Sequence, residues 1–162
     1  MPSKSFLAAM GIGLVVAALL VVAIVFQQQG STPRLAGEIT NVRTLGVEEA
    51  ASVAIVDFRF VNDSKLRFIV QDTGMTVVDA AGDVRTGRIL SASDTNQLFA
   101  LFPALGPKAA EGLVMKNRVQ PDESRPAMLA ARFEISKSAL DARRRITVSV
   151  TEIDGAISEL SR

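Results

Sequence analysis

Two hydrophobic patterns run along this chain, and they meet near residue 30. From Phe6 to Phe26 the sequence reads FLAAMGIGLVVAALLVVAIVF, 21 residues without a charge. As a helix the run is roughly 31 Å long, about the thickness of a bilayer's hydrocarbon core, and a helix satisfies its own backbone polar groups in lipid. It predicts a transmembrane helix over residues 6–26, behind a tail of residues 1–5. A polar, breaker-rich linker over 27–34 follows, including Gln27-Gln-Gln-Gly-Ser-Thr-Pro33.

Beyond the linker the period is two. Ala54, Val56, Phe58 and Phe60 alternate with Asp57 and Arg59; Leu129, Ala131, Phe133 and Ile135 with Ala130, Arg132 and Glu134; Ile146, Val148 and Val150 with Thr147 and Ser149. Each set predicts a strand with one apolar and one polar row, the pattern of antiparallel sheets with one wet face. Turn chemistry separates the runs: Asn62-Asp-Ser-Lys65, Ala81-Gly-Asp83, Pro121-Asp-Glu-Ser124, and a two-residue Asp154-Gly155 hairpin between Val148–Ile153 and Ala156–Leu160. Residues 35–162 therefore read as one mainly β domain, an Ig-like or fibronectin-like antiparallel β-sandwich. One short helix interrupts it. Ser93 is its expected N-cap, Asp94 favours the positive end of the helix dipole, Leu98, Leu101 and Phe102 share a face, and Pro103 ends it. A weaker helical turn is expected over Ser138–Arg143.

The apolar run is longer than the 7–15 residues of a signal peptide's core, and Val-Ala-Ile-Val-Phe-Gln at its end lacks a small-x-small cleavage pattern. It reads as a retained signal anchor contacting membrane lipid through residues 6–26. Lys4 precedes it and the next basic residue is Arg34. That bias places the amino terminus in the cytoplasm and the body in the periplasm, with a cytoplasmic body as the alternative. Ala9, Gly13 and Ala17 repeat every fourth residue on one helix face, a spacing that lets a second helix approach closely.

Composition then removes function classes. Among 162 residues there is no Cys, His, Trp or Tyr, so disulfides, zinc fingers, Cys nucleophiles and histidine bases are excluded. The net charge of +1 does not fit a nucleic-acid binder. Of the 18 basic residues Lys4 and Arg34 precede the body, leaving 16 against 17 acidic residues and a net of −1 with no steering field. Mean hydropathy of +0.28 is largely the contribution of residues 6–26.

What chemistry remains is sparse. Ser64-Lys65 and Ser136-Lys137 are adjacent pairs in turn-like sequence, which point apart in strands rather than together. Asp72, Asp79 and Asp83 form the densest acidic group, but their spacing is not that of a calcium loop, and no Trp or Tyr platform accompanies them for sugar chemistry. Arg143-Arg-Arg145 is a basic run at a strand start, and Asn62-Asp-Ser64 is formally a glycosylation sequon. The one Gly-x-Gly, at Gly11 and Gly13, lies inside the apolar run and is not a phosphate loop. No cofactor or metal is expected. Phe99, Leu101, Phe102 and Leu105 are more apolar than a surface connection requires. They serve either to plug the sandwich or as an apolar surface for a partner or lipid chain.

The stretch from Val56 to Val70, VDFRFVNDSKLRFIV, resembles the LEA14/WHy-type β-sandwich: an apolar strand, an Asn at the turn and a second apolar strand. Asn62 matches, while Asp63 stands where that family has Pro. The segment from Ser93 to Lys108, with Ala130–Ile135 and Glu152–Gly155, resembles uncharacterised bacterial proteins with one N-terminal anchor. The first resemblance implies a non-enzymatic envelope or stress-protection domain; the second implies no activity. The expectation is a non-catalytic interaction or structural module of the bacterial envelope, at its most specific an accessory subunit with a protein partner in a membrane complex. The alternative is a binder of an apolar ligand through Phe99–Leu105. The oligomeric state is left open.

Overall fold

The computed structural model describes residues 18–20, 22 and 33–162. The chain divides into two compact units, Met1–Thr32 and Pro33–Arg162. In the first, Ala18, Leu19, Leu20 and Val22 are helical and exposed. The rest of the expected transmembrane helix, with Ala9, Gly13 and Ala17, lies outside the described residues; among those described, no helix is long and apolar enough to cross a membrane.

The second unit is mainly β. Its strands are β1 (Leu35–Glu48), β2 (Ala51–Asn62), β3 (Phe68–Val78), β4 (Val84–Ile89), β5 (Arg118–Val119), β6 (Ser124–Phe133), β7 (Arg145–Glu152) and β8 (Ile157–Ser161). Helix α1 (Ala92–Leu101) and a 3₁₀ turn (Pro103–Leu105) lie between β4 and β5, and α2 (Lys137–Asp141) lies between β6 and β7. The strands pair antiparallel in the order β1-β2-β6-β4-β3-β7-β8, with β5 on β3.

β4 makes the corner of this sheet. Val84–Gly87 pair with β3, and Arg88–Ile89 pair with β6. Gly87 permits the turn, because a Cβ there would stand 2.6 Å from the Phe133 ring and 2.9 Å from the Ala131 Cβ. The curl brings β1 back beside β8, where the Leu35 N–H donates to Ser158 Oγ at 2.9 Å. Val56, Phe58 and Phe60 of β2 and Phe133 of β6 thus face Met75 and Val77 of β3 and Ile146, Val148 and Val150 of β7 in one apolar core. Phe58 and Phe60 sit with ring centres 6.0 Å apart, within the range of favourable aromatic pairs. The alternating apolar rows of the sequence are the walls of this core.

Three local expectations need correction. The N-cap of α1 is Ser91, whose Oγ accepts from Asp94 N–H, so Ser93 lies inside the first turn. Helix α2 likewise starts earlier than expected: Ser136 caps it through Ala139 N–H, and it ends at Asp141. Between β7 and β8, the Glu152 N–H donates to Ala156 O and closes a loop over 153–155. Gly155 takes φ 89° there. A longer loop with a left-handed glycine replaces the expected two-residue turn because β7 already ends at Glu152.

The larger correction concerns the wet face of β2. Its residues Ala51 to Phe58 are all buried. The second face of β2 is covered, and what covers it is the segment that the sequence marked as unusually apolar.

Candidate functional site

On the outer face of β2 and β6, Val53, Ile55, Met128 and Ala130 form a second, smaller apolar cluster with Leu105. Leu98, Phe99 and Phe102 of the α1 segment pack onto it, together with Leu45 and Val47 from β1. At 3.6 residues per turn the downward line of α1 runs through Thr95, Leu98, Phe99 and Phe102. Thr95 is buried and its hydroxyl donates to Ser91 O at 2.8 Å. Leu101 lies about 120° round from that line and is 72% exposed. Of the four residues proposed as an apolar surface, then, Leu105 is buried, Phe99 and Phe102 are half-buried against the sheet, and Leu101 faces solvent. Leu105, Phe99 and Phe102 close a small core of their own rather than plugging the main one.

The segment is tied down by an ion pair that the sequence reading missed. Arg43 Nη2 lies 2.8 Å from both carboxylate oxygens of Asp57. Its Nη1 donates to the carbonyls of Leu105 and Pro107, each at 2.9 Å. The guanidinium carbon stands 4.9 Å from the Phe99 ring centre, an attractive cation–π distance. The Arg43 and Asp57 side chains are only 14% and 7% exposed. A buried charge needs a partner and hydrogen bonds to be tolerated; here Asp57 is the partner, and two of the Arg43 bonds go to the segment the pair secures. Arg43 Nε is buried without a partner among the described residues. The available signal was register: Arg43 shares a row with Leu45 and Val47, and Asp57 a row with Val53 and Ile55. A charge in an otherwise apolar row calls for an opposite charge across the strand.

Two spaces flank α1. Beneath it, between Thr95, Leu113 and Met128, lies a cavity of about 30 Å³, large enough for one water. Alongside it an open groove of about 340 Å³ runs past Val53, Leu90, Leu98 and Leu101, with Arg88, Arg132 and Asp94 at its margins. Arg132 is held by Glu134 and Glu48, which keep its charge firmly on.

The remaining sequence-marked residues fall elsewhere. Asp79 and Asp83 share the β3–β4 turn with Arg85, whereas Asp72 sits towards the other end of β3 and accepts from Thr73 N–H. Desolvation opposes the charge of Asp79, but the Asp83 N–H, the Arg85 guanidinium and the Ala81 N–H outweigh it and hold that carboxyl below the usual range. No three acidic residues come together to hold a metal among the described residues. Arg143, Arg144 and Arg145 meet Arg162, Asn41 and Asp141 around an open concavity of about 330 Å³. Burial and then the charge of Arg162 lower the pKa of Arg143, against the pull of Asp141.

Asn62 is fully buried. Its Nδ2 donates to Leu66 O at 2.8 Å and Val119 O at 3.1 Å, while its Oδ1 accepts from the Ser64 N–H and hydroxyl. The sequon is therefore closed to glycosylation in the folded chain. Ser64 belongs to this turn and Ser136 caps α2, so neither is paired with its neighbouring lysine.

No protein-family model matches the chain, and no curated protein matches it. Among solved structures it is similar to an uncharacterised β-sandwich protein from Clostridium difficile 630, with TM-score 0.40 and 10% identity over 78% of this chain and 84% of that one. It is also similar to the archaellum periplasmic stator protein FlaG from Sulfolobus acidocaldarius (TM-score 0.35, 11% identity, 81% of this chain and 100% of that one). The complex of FlaF and FlaG from the same organism gives 0.30 and 10%, over 78% and 87%. At this level of similarity these likenesses carry nothing about activity or partners.

Proposed function

We propose that the chain is a membrane-anchored, non-catalytic module of the bacterial envelope that docks a protein partner on the α1 face of its sheet. In this reading residues 6–26 are the anchor, the body lies on the periplasmic side, and the strand order is an Ig-like or fibronectin-like arrangement elaborated by α1. The observation that carries it is Leu101, a large apolar side chain 72% exposed on the rim of the groove beside α1. The helix below it is held by a buried ion pair rather than left to move, so the surface is preformed, and a preformed surface loses less ordering entropy on binding.

The apolar-ligand alternative is less well supported, because the space under α1 is only about 30 Å³, and an acyl chain there would have to displace the helix and break the Arg43 contacts. A photo-crosslinking residue at position 101 of the full chain, activated in cells before detergent extraction, should yield one defined protein adduct. The same residue at Val84, exposed in the β3–β4 hairpin, should not. Equal or absent adducts at both positions would overturn the proposal. A topology reporter fused after Arg162 tests the periplasmic side independently.

A further inference from the structure

One end of the second unit is unlike the rest of its surface. The registers Leu35 with Asn62, Phe68 with Val119, and Val70 with Glu152 bring together the start of β1, the β2–β3 loop, the segment before β5 and the β7–β8 loop. Seven large apolar side chains are exposed among residues 33–162, and five of them are here: Leu66 (46%), Val114 (46%), Met115 (64%), Ile153 (55%) and Ile157 (61%). Scattered exposed apolar residues need no explanation, but a group confined to one end does.

Polar groups, the buried Asn62 and Glu152 among them, fix these loop tips in place. Asn62 holds the Leu66 carbonyl as described. Glu152, 2% exposed, accepts from Asp154 N–H at 2.6 Å and so shapes the turn that carries Ile153. Asn117 Oδ1 accepts from Val114 N–H at 3.1 Å, and the Lys116 N–H donates to Val70 O at 2.7 Å. Lys116 (φ 65°) and Asp122 (φ 59°), the non-glycine residues with positive φ among those described, both lie at this end. Such backbone costs free energy that the surroundings must offset. The tips are therefore held outward.

Charge completes the pattern. Arg34, Lys65, Arg67, Lys116 and Arg118 are exposed around the apolar tips, against Asp63, Asp72, Asp122 and Asp154. None of the five basic residues is in an ion pair among the described residues. Apolar tips ringed by unpaired cations match the interface of an anionic bilayer, where apolar groups enter the headgroup boundary and basic residues meet the lipid charge. Chain continuity supplies the surface. β1 begins at this end, and just upstream is the short linker to the uncharged run, at most about 29 Å across residues 27–34 when fully extended.

We infer that this end of the sandwich is a lipid-contacting face that seats Leu66, Met115 and Ile153 in the headgroup region of an anionic membrane. The inference rests on residues 6–26 being an anchor. The absence of native cysteine makes the test direct. Single cysteines replacing Leu66, Met115 or, as a control, Val84 at the opposite end are labelled with an environment-sensitive fluorophore. The full chain is then reconstituted into phosphatidylcholine vesicles with and without phosphatidylglycerol.

The labels at 66 and 115 should shift to the blue and be quenched by spin-labelled lipid, more strongly with phosphatidylglycerol present, while the label at 84 should not. Lys65→Glu with Arg67→Glu should weaken the quenching at 115 without moving the thermal midpoint. Flotation of the same vesicles separates the two ideas. A chain that does not float removes both the anchor and this contact. A chain that floats with labels at 66 and 115 no better quenched than at 84 overturns the contact alone. Labels shielded from a soluble quencher yet unreached by lipid quencher would mean that protein covers this end, and would also overturn it.

Discussion

The described residues form two apolar cores on opposite faces of β2 and β6, and they are closed by different means. The main core is enclosed by strands on both sides and contains Phe58, Phe60 and Phe133 at about 1% exposure. The smaller core on the other face of β2 and β6 is closed by a ten-residue helix and a 3₁₀ turn. Its helix-borne residues are half-buried, and a charged pair rather than more apolar surface fastens its lid. A sheet face supplies continuous backbone pairing along its whole length, whereas an isolated helix of ten residues has little stability of its own in water. The difference teaches that the lid is fastened by the charges of Arg43 and Asp57, whereas the main core is closed by apolar packing between strands.

That contrast can be broken by mutation. Phe58→Ala should destabilise the domain by about 3–5 kcal/mol, read as the denaturant midpoint at constant slope. Asp57→Leu leaves the Arg43 charge buried and unpaired and should cost about 3–5 kcal/mol, at or just below the Phe58 effect. Adding Arg43→Met should restore much of it; a double variant as unstable as the single one would show that the ion pair does not account for the loss. Phe102→Ala, at a half-buried site, should cost only about 1–2 kcal/mol. Faster hydrogen exchange there should be confined to α1 and the 3₁₀ turn, and faster exchange in β3 and β7 would mean that the two cores act as one.

Smaller effects come from outside both cores. Lys137 and Thr44 bond to Asp141 and hold its carboxyl below the ordinary value, as the β3–β4 turn does for Asp79. Because these pKa values are depressed in the folded chain, the stability they contribute is complete above the ordinary aspartate value of about 3.9 and is lost as pH falls through the lowered values. Asp79→Asn should lower the denaturation midpoint slightly at neutral pH, where the ionised carboxylate contributes, and flatten its fall below about pH 4, where the wild type loses the same contribution. Smallest of all, Leu101→Ser should leave stability within about 0.5 kcal/mol. A larger loss would show that Leu101 belongs to the small core and not to a docking surface.

The parts legible in the sequence follow from periodicity and turn chemistry. Val56, Phe58 and Phe60 were read as a strand's apolar row because every second side chain shares a face, and the breaks at 62–65, 81–83 and 121–124 carry residues suited to turns. The small core was only half legible. Phe99, Phe102 and Leu105 announced an apolar need but not what would meet it, and Val53 and Ile55 went unread because Asp57 in the same row suggested solvent. The helical face was misjudged at Leu101 for a related reason: three candidate residues fitted one stripe, and only the sheet beneath decided that Thr95 and Phe99 belong to it. Local geometry at Ser91 and Gly155 moved boundaries by a few residues without changing the elements.

By itself the sequence determined the separation of an uncharged 21-residue run from a mainly β body, because hydropathy and a period of two are local properties. It determined equally that no disulfide, thiol or imidazole chemistry is available. Only the tertiary structure decided that β2 is buried on both faces, that Arg43 meets Asp57, and that the loop tips at 66, 115 and 153 share one end. Those facts depend on register and curl between strands far apart along the chain, and no local pattern specifies which residues such pairing brings together.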